Sequence, residues 1–175
     1  PIFRPLLYAN TAAYTAGAAQ KDIPYVMNLT MLQMFGEFGG SGVTIGLVIA
    51  IFIFSKREDN RTIAGISVVP GLFNINETMT FGIPLVLNPI LDIPFILAPV
   101  ATLIVGYILV STGFCPHIVL EVPWTMPPVF LGFLATGGSP MGAVSQLIVV
   151  ALSTVIYTPF LIAYEKYQAK QAEAE

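Results

Sequence analysis

The sequence predicts an all-α integral membrane protein with about three transmembrane helices and two broken or re-entrant elements. Hydrophobic residues make up 55% of the 175 positions, charged residues make up 10%, and the mean hydropathy is +0.80. An average soluble domain has about 25% charged residues, so this composition excludes one. Segment 122–164 contains no Asp, Glu, Lys, Arg or His, and a run of about 18 such residues already indicates a transmembrane helix.

Net charge and cysteine content limit the partners and the chemistry. A net charge of −3 is too small to indicate nucleic acid or an acidic substrate. The single cysteine, Cys115, excludes an internal disulfide. No motif predicts a cofactor or a metal ion. The length predicts one domain, and because the chain starts at Pro1 with no signal segment, we expect it to be part of a longer protein.

The first third of the chain is predicted to hold one full span. Residues 1–37 mix polar and apolar positions, which indicates a broken or interfacial segment with a half helix at about 25–35. The string GEFGGSG at 36–42 predicts a flexible turn, because glycine suits unusual backbone angles. The first span follows at about 42–55. It ends at 56–61, the densest charge cluster in the chain, and such a loop normally lies in the cytoplasm.

The rest of the chain alternates apolar runs with Pro/Gly clusters. Residues 62–69 predict a short amphipathic link, and residues 70–92 a broken element. A second span covers 93–111, interrupted by Pro99, and 112–140 is a second re-entrant or loop element. A third span covers 141–164, with a kink at Pro159, and a solvated helical tail covers 165–175. Two crossings then separate the 56–61 cluster from the tail, so both lie on one side, as the positive-inside rule requires.

Glu77 is the strongest candidate for a functional residue. Its nearest charged neighbours in the sequence are Arg61 and Asp92, so we expect a buried, isolated carboxylate. A carboxylate inside a membrane is costly and is usually neutral, paired or functional. The same broken element contains three asparagines, Asn74, Asn76 and Asn88. Asn76 and Asn88 could contact a polar solute or satisfy exposed backbone, as Asn often does in turns.

Trp124 is the next candidate. As the only tryptophan it could anchor at the membrane interface, or it could offer an apolar platform to a sugar ring. Cys115 and His117 flank a proline but lack the further ligands or orienting group that a metal site or nucleophile needs.

Several strings resemble the membrane-embedded IIC component of sugar phosphotransferase systems, and are most similar to its lactose/N,N′-diacetylchitobiose/cellobiose branch. The most specific is PGLFNINETMTFGIPLVLNPILDIPFILAP at 70–99. Supporting strings are FGEFGGSGVTIGL at 35–47, VPWTMPPVFLGFLATGG at 122–138 and VIYTPF at 155–160.

The resemblance implies uptake of a disaccharide of the cellobiose, chitobiose or lactose type across the bacterial inner membrane by a multi-pass permease. A IIB partner, itself supplied by IIA, would phosphorylate the sugar from a phosphocysteine. Glu77 matches the family's glutamate in the NxNE string and would orient or deprotonate the accepting hydroxyl. Asn76, Asn88 and Trp124 would contact the sugar.

This sequence lacks a match to one residue of the family, an essential histidine. The family's essential histidine lies upstream of the matched region, and the only histidine here, His117, does not match it. We therefore expect residues 1–175 to be the C-terminal, substrate-binding portion of a IIC domain, with a homodimer formed through the N-terminal helices that would precede it. The alternative is a fragment of a secondary transporter or channel in which Glu77 binds a proton or cation, since broken helices occur there too.

Overall fold

A computed structural model of the chain describes residues 2–85 and 88–172, and within these ranges all regular structure is helical. The α-helices there are α1 Phe3–Thr15, α2 Leu29–Gly36, α3 Ile45–Phe54, α4 Glu58–Leu72, α5 Glu77–Gly82, α6 Asp92–Ser111, α7 Phe130–Ala135 and α8 Pro140–Ala172. Short 3₁₀ turns cover Gln20–Asp22 and Ser41–Val43. Residues 86–87 of the predicted broken element and 173–175 of the predicted tail lie outside the described residues.

Within the described residues, two helices are long and apolar enough to cross a membrane. They are α6, with 20 residues, and the 32 residues Pro140–Gln171 of α8. A 20-residue helix is about 30 Å long, which matches the hydrocarbon thickness of a bilayer. A third candidate is the pair Leu29–Val43 and Ile45–Phe54, which bends by 60°. The bend follows Gly39, Gly40 and Gly42, whose φ angles of 72°, 87° and 78° are favourable only for glycine.

The sequence prediction missed helix in two places. Residues 3–15 form α1 instead of a broken segment, and the predicted link at 62–69 lies inside the longer α4. Pro70 does not prevent α4 because it lies near the helix end, where one lost hydrogen bond is tolerated. The third span and its tail are one helix, α8, which continues through Pro159. The predicted interruption of the second span at Pro99 is also absent, because α6 continues through that residue.

Helices α3 and α8 pack closely because small residues face each other. A Cβ atom on Gly46 would lie 2.3 Å from Ser153 Oγ and 2.7 Å from the Ser153 carbonyl carbon, so no larger residue fits there. The Tyr157 hydroxyl, fully buried, donates a 2.7 Å hydrogen bond to the carbonyl of Gly42. This contact ties α8 to the glycine-rich bend that precedes α3.

Buried polar side chains hold the non-helical segments in place. Gln146 on α8 accepts from the backbone N–H groups of Val129 and Gly132 at 2.7 and 2.9 Å, and donates to the carbonyl of Met34 at 3.1 Å. Asn10 on α1 donates to the carbonyl of Ile118 at 3.0 Å. The irregular segment 112–129 is therefore tied to α1 and α8, and together with α7 it occupies most of the predicted re-entrant or loop element at 112–140.

The junction of α3 with α4 lies beside the C-terminal part of α8. Glu165 Oε1 accepts hydrogen bonds from Ser55 Oγ and, at 2.9 Å, from Asn60 Nδ2. The cluster at 56–61 and the basic end of α8 therefore lie at the same end of the protein, as the predicted topology requires.

Candidate functional site

Three segments distant in sequence meet around a small polar cleft of about 130 Å³. The segments are the end of α2 with the glycine-rich bend, the turn between α4 and α5, and the irregular segment before α7. The cleft is lined by Gln33, Glu37, Gly40, Ser41, Asn74 and Trp124. Each segment thus supplies at least one side chain that can hydrogen-bond or stack on a solute.

Asn74 joins all three segments. Its Oδ1 accepts from the backbone N–H of Gly39 at 2.6 Å, and its Nδ2 donates to the carbonyls of Trp124 and Met126, the latter at 3.2 Å. Its own φ of 63° lies in the left-handed region, which Asn tolerates better than most residues. The cleft therefore depends on one asparagine that the sequence analysis mentioned only as a neighbour of Glu77.

Asn76 lies against the wall of the cleft. Its Nδ2 donates to the carbonyl of Ser41 at 2.7 Å and to Thr44 Oγ1 at 3.1 Å. A Cβ atom on Gly40 would lie 2.5 Å from the Asn76 side chain, so this glycine is needed for the close approach. The amide nitrogen of Asn76 is therefore committed to the protein, and its Oδ1 remains the atom available to a ligand.

Glu77 follows Asn76 and begins α5, a helix of six residues. Its side chain is exposed, and within the described residues it has neither a hydrogen-bond nor an ion-pair partner. The expectation of an acid buried within this chain is therefore wrong: only Met79 of α5 is buried. The structure places Glu77 next to a residue that contacts the cleft wall, but outside the cleft lining itself.

The other two predicted residues differ in position. Trp124 is 54% exposed and lines the cleft, with its carbonyl held by Asn74. Asn88 does not line the cleft. Its Oδ1 accepts from the backbone N–H groups of Ile90 and Leu91 at 3.0 and 3.2 Å, so this side chain satisfies backbone groups just before α6.

The cleft residues that sequence reasoning missed include two polar side chains on α2 and at its end. Gln33 and Glu37 are four residues apart at the end of α2, so they lie on one face of the helix. That spacing of polar residues in an apolar helix was the available signal. Gln33 Oε1 is buried and has no partner among the described residues, and an unpaired buried acceptor costs about 1–3 kcal/mol. A ligand hydroxyl would satisfy it.

Cys115 and His117 lie away from this cleft. Cys115 is fully buried, and its Sγ contacts the carbonyl of Pro116 at 3.4 Å. The backbone N–H of His117 donates to Gln20 Oε1 at 2.8 Å. Within residues 2–85 and 88–172, no group of three His, Cys, Asp or Glu side chains could hold a metal ion.

Comparison with known proteins identifies the family. The family model "Phosphotransferase system, EIIC" matches residues 1–99, more than half of the chain. The chain belongs to the phosphotransferase system EIIC family. This match confirms the resemblance seen in the 70–99 string, and the helices described above agree with the all-α part of the predicted fold class.

Individual EIIC proteins match over most of the chain. It is 39% identical over 172 residues to the lichenan permease IIC component of Bacillus subtilis (strain 168), covering 98% of this chain and 37% of that protein. It is 42% identical over 139 residues to the cellobiose-specific EIIC component of Lactococcus lactis subsp. lactis (strain IL1403), covering 79% and 28%.

A solved structure matches as well. The transporter ChbC, the IIC component of the N,N′-diacetylchitobiose-specific phosphotransferase system, aligns with a TM-score of 0.92 and 37% identity. The match covers all of this chain and 40% of ChbC. The chain therefore spans about two fifths of the length of this EIIC protein and of the lichenan permease.

Proposed function

We propose that this chain is the sugar-binding part of a phosphotransferase-system permease for a disaccharide of the cellobiose, chitobiose or lactose type. The observation that carries the proposal is the polar cleft, which contains an aromatic side chain and the buried Gln33 Oε1, an acceptor without a partner in the part of the chain that the structure describes. Family membership favours this function over a secondary transporter or channel. The relatives named for lichenan and cellobiose support a β-linked glucoside as the first substrate to test.

The cleft offers two kinds of contact to a pyranose. The exposed ring of Trp124 offers an apolar face to the C–H side of the sugar, while Gln33 Oε1 and the Glu37 carboxylate accept from hydroxyls. Asn76 Oδ1 adds an acceptor at the wall. Asn88 is the weakest of the proposed sugar contacts, because its side-chain oxygen already accepts two backbone hydrogen bonds.

We further propose that Glu77 serves the phosphoryl transfer. The accepting sugar oxygen would attack the phosphorus of the IIB phosphocysteine, the S–P bond would break, and the cysteine would leave as a thiolate. Glu77 would take the hydroxyl proton, which requires contact within about 2.6–3.2 Å. Its exposed position at the start of α5 leaves it accessible to a sugar that extends beyond the cleft.

The proposed architecture places this chain in the bacterial inner membrane as a multi-pass segment. Its three crossings would be the bent α2–α3 pair, α6 and α8, with broken elements at 70–92 and 112–140. We propose that it forms the C-terminal portion of a IIC domain whose N-terminal helices carry the histidine and the homodimer contact. IIB, phosphorylated by IIA, would dock on the cytoplasmic face that contains the 56–61 cluster.

A reconstitution tests whether this protein binds the sugar while a separate IIB protein donates the phosphoryl group. The purified full-length gene product containing this chain is mixed with labelled cellobiose, N,N′-diacetylchitobiose or lactose, together with ATP. We expect no sugar phosphate until a phosphorylated, cysteine-bearing IIB partner is added, and none with a partner whose cysteine is replaced by serine. Sugar phosphate formed without the partner would refute the proposal.

Replacing Trp124 by alanine is expected to weaken sugar binding by about 1–3 kcal/mol, the value of burying one large apolar side chain. Trp124→Phe should retain most of the affinity because it keeps an aromatic face. Tyr107→Ala, at an exposed aromatic on α6 away from the cleft, is the matched control. Sugar titration by calorimetry measures the three variants. Unchanged affinity in Trp124→Ala would leave Trp124 as an interface anchor.

A further inference from the structure

The outer faces of α3 and α8 form a large apolar groove, distinct from the polar cleft. Its volume is about 850 Å³, and its lining includes Ile49, Ile53, Leu147, Ala151, Val155 and Pro159. The polar groups in its lining are the hydroxyls of Thr154 and Thr158, which donate to the carbonyls of Val150 and Thr154 within α8 at 3.0 and 2.8 Å. The groove therefore offers hydrocarbon contacts and no free polar partner for a solute.

The groove ends in a basic cavity. A second cavity, of about 490 Å³, shares Phe54 and Ile162 with the groove and is also lined by Lys56, Arg57 and Lys166. The face of α8 that lines the groove continues into this cavity. Thr158, Ile162 and Lys166 follow one another at four-residue intervals and so share that helix face. The apolar groove and the basic cavity at its end therefore form one continuous surface.

The basic end carries more positive than negative charge. Lys56, Arg57 and Lys166 line it together with one carboxylate, that of Glu165, whose Oε1 accepts from Ser55 and Asn60. Arg57 Nε is buried without a partner among the described residues, and its Nη2 lies 3.6 Å from Asp59, whose side chain is 83% exposed. Three cations thus surround the cavity with unused hydrogen-bond donors, which favours an anion with several acceptor oxygens.

We propose that this surface binds an anionic phospholipid, with an acyl chain in the apolar groove and the phosphodiester between Lys56, Arg57 and Lys166. The α8 wall from Leu147 to Ile162 is about 22 Å long at 1.5 Å per residue, which exceeds the roughly 15 Å hydrocarbon depth of one leaflet. Basic pockets between transmembrane helices on the cytoplasmic side bind anionic headgroups. The combination of hydrocarbon walls and a cationic end selects a lipid over a soluble phosphate.

The test measures lipid retention, without sugar or partner proteins. The full-length gene product is purified in detergent, titrated with phosphatidylglycerol or phosphatidylcholine, and analysed by native mass spectrometry. We expect preferential retention of phosphatidylglycerol. Lys56→Gln and Lys166→Gln should each weaken it about fivefold, the effect of one cation near a lipid headgroup. Lys21→Gln, at an exposed lysine that lines neither cavity and lies outside α8, is the matched control and should retain it.

Two further arms identify the occupant. Ala151→Trp fills the groove and should reduce lipid retention. Soluble glycerol phosphate is titrated separately, and we expect no measurable binding of it to the unmodified protein or to any variant. A photoreactive phosphatidylglycerol should label peptides of α3 and α8 in the unmodified protein, which keeps the test valid if a variant fails to fold. Three outcomes would each overturn the proposal. They are equal retention of both lipids, tight binding of glycerol phosphate alone, and labelling of other peptides because another helix or a second copy covers the groove.

Discussion

Glu77→Gln is expected to reduce phosphorylating uptake of the sugar by at least about 100-fold, the lower end of what a positioned general base contributes. Glutamine keeps the size and the carbonyl oxygen of the side chain but cannot take the hydroxyl proton. The measurement is accumulation of labelled sugar phosphate in cells that express the full-length gene product. Since Glu77 is exposed and has no partner among the described residues, the substitution should leave folding unchanged.

The control for this prediction is Asp22→Asn, at an exposed aspartate in the 3₁₀ turn Gln20–Asp22, which belongs neither to the cleft lining nor to the 56–61 cluster. That variant should transport at close to the normal rate. Sugar affinity measured without the phosphorylated partner should change little in Glu77→Gln, because the cleft side chains remain. Uptake near the normal level in Glu77→Gln would contradict the role proposed for this residue.

Asn74→Ala is expected to lower the free energy of unfolding by about 2–4 kcal/mol and to weaken sugar binding more than tenfold. Three hydrogen bonds from one side chain disappear, each worth roughly 0.5–1.5 kcal/mol. Alanine must also adopt the left-handed backbone at this position, which costs about 1–2 kcal/mol. Without these contacts, Trp124 and the glycine-rich bend lose the link that shapes the cleft.

Two more substitutions at this position separate the causes. Asn74→Gly removes the side chain but accepts the left-handed backbone, so it should be more stable than Asn74→Ala and still bind sugar poorly. Asn74→Asp keeps the acceptor for the Gly39 N–H but loses both donors. Thermal unfolding and sugar titration are measured on all three. If Asn74→Gly bound sugar normally, the side-chain contacts of Asn74 would have no role in shaping the cleft.

The hydropathy of consecutive residues predicted the long apolar helices. It missed helix α1, whose polar residues have hydrogen-bond partners far away in the sequence. α6 and α8 were predictable because apolar residues dominate both over at least 20 positions. α1 was not, because the mixture of polar and apolar positions in 1–37 suggested a broken or interfacial segment. Asn10 and Thr11 are two of the polar residues in α1. In the structure their side chains bond to the carbonyls of Ile118 and Val119, more than 100 positions away.

The candidate site shows the same division. The motif at 70–99 directed attention to Glu77 and Asn76, and the uniqueness of Trp124 made it a candidate. Asn88 was a candidate because it is one of the asparagines in the broken element that contains Glu77. Its side chain instead satisfies local backbone groups, and the presence of a polar residue in the sequence does not distinguish that role from sugar binding. The central position of Asn74 depends on contacts 35, 50 and 52 residues away, so no local window contains it.

The sequence by itself determined the class of protein, the family and the broken element that carries Glu77, since hydropathy and short motifs are properties of consecutive residues. Only the tertiary structure decided which side chains share a site. It placed Gln33, Asn74 and Trp124 around one cleft and left Glu77 exposed. It also joined the basic ends of α3 and α8 to an apolar groove. The physical reason is that burial and hydrogen bonding depend on close approach in space, which the packing of helices at glycine contacts decides.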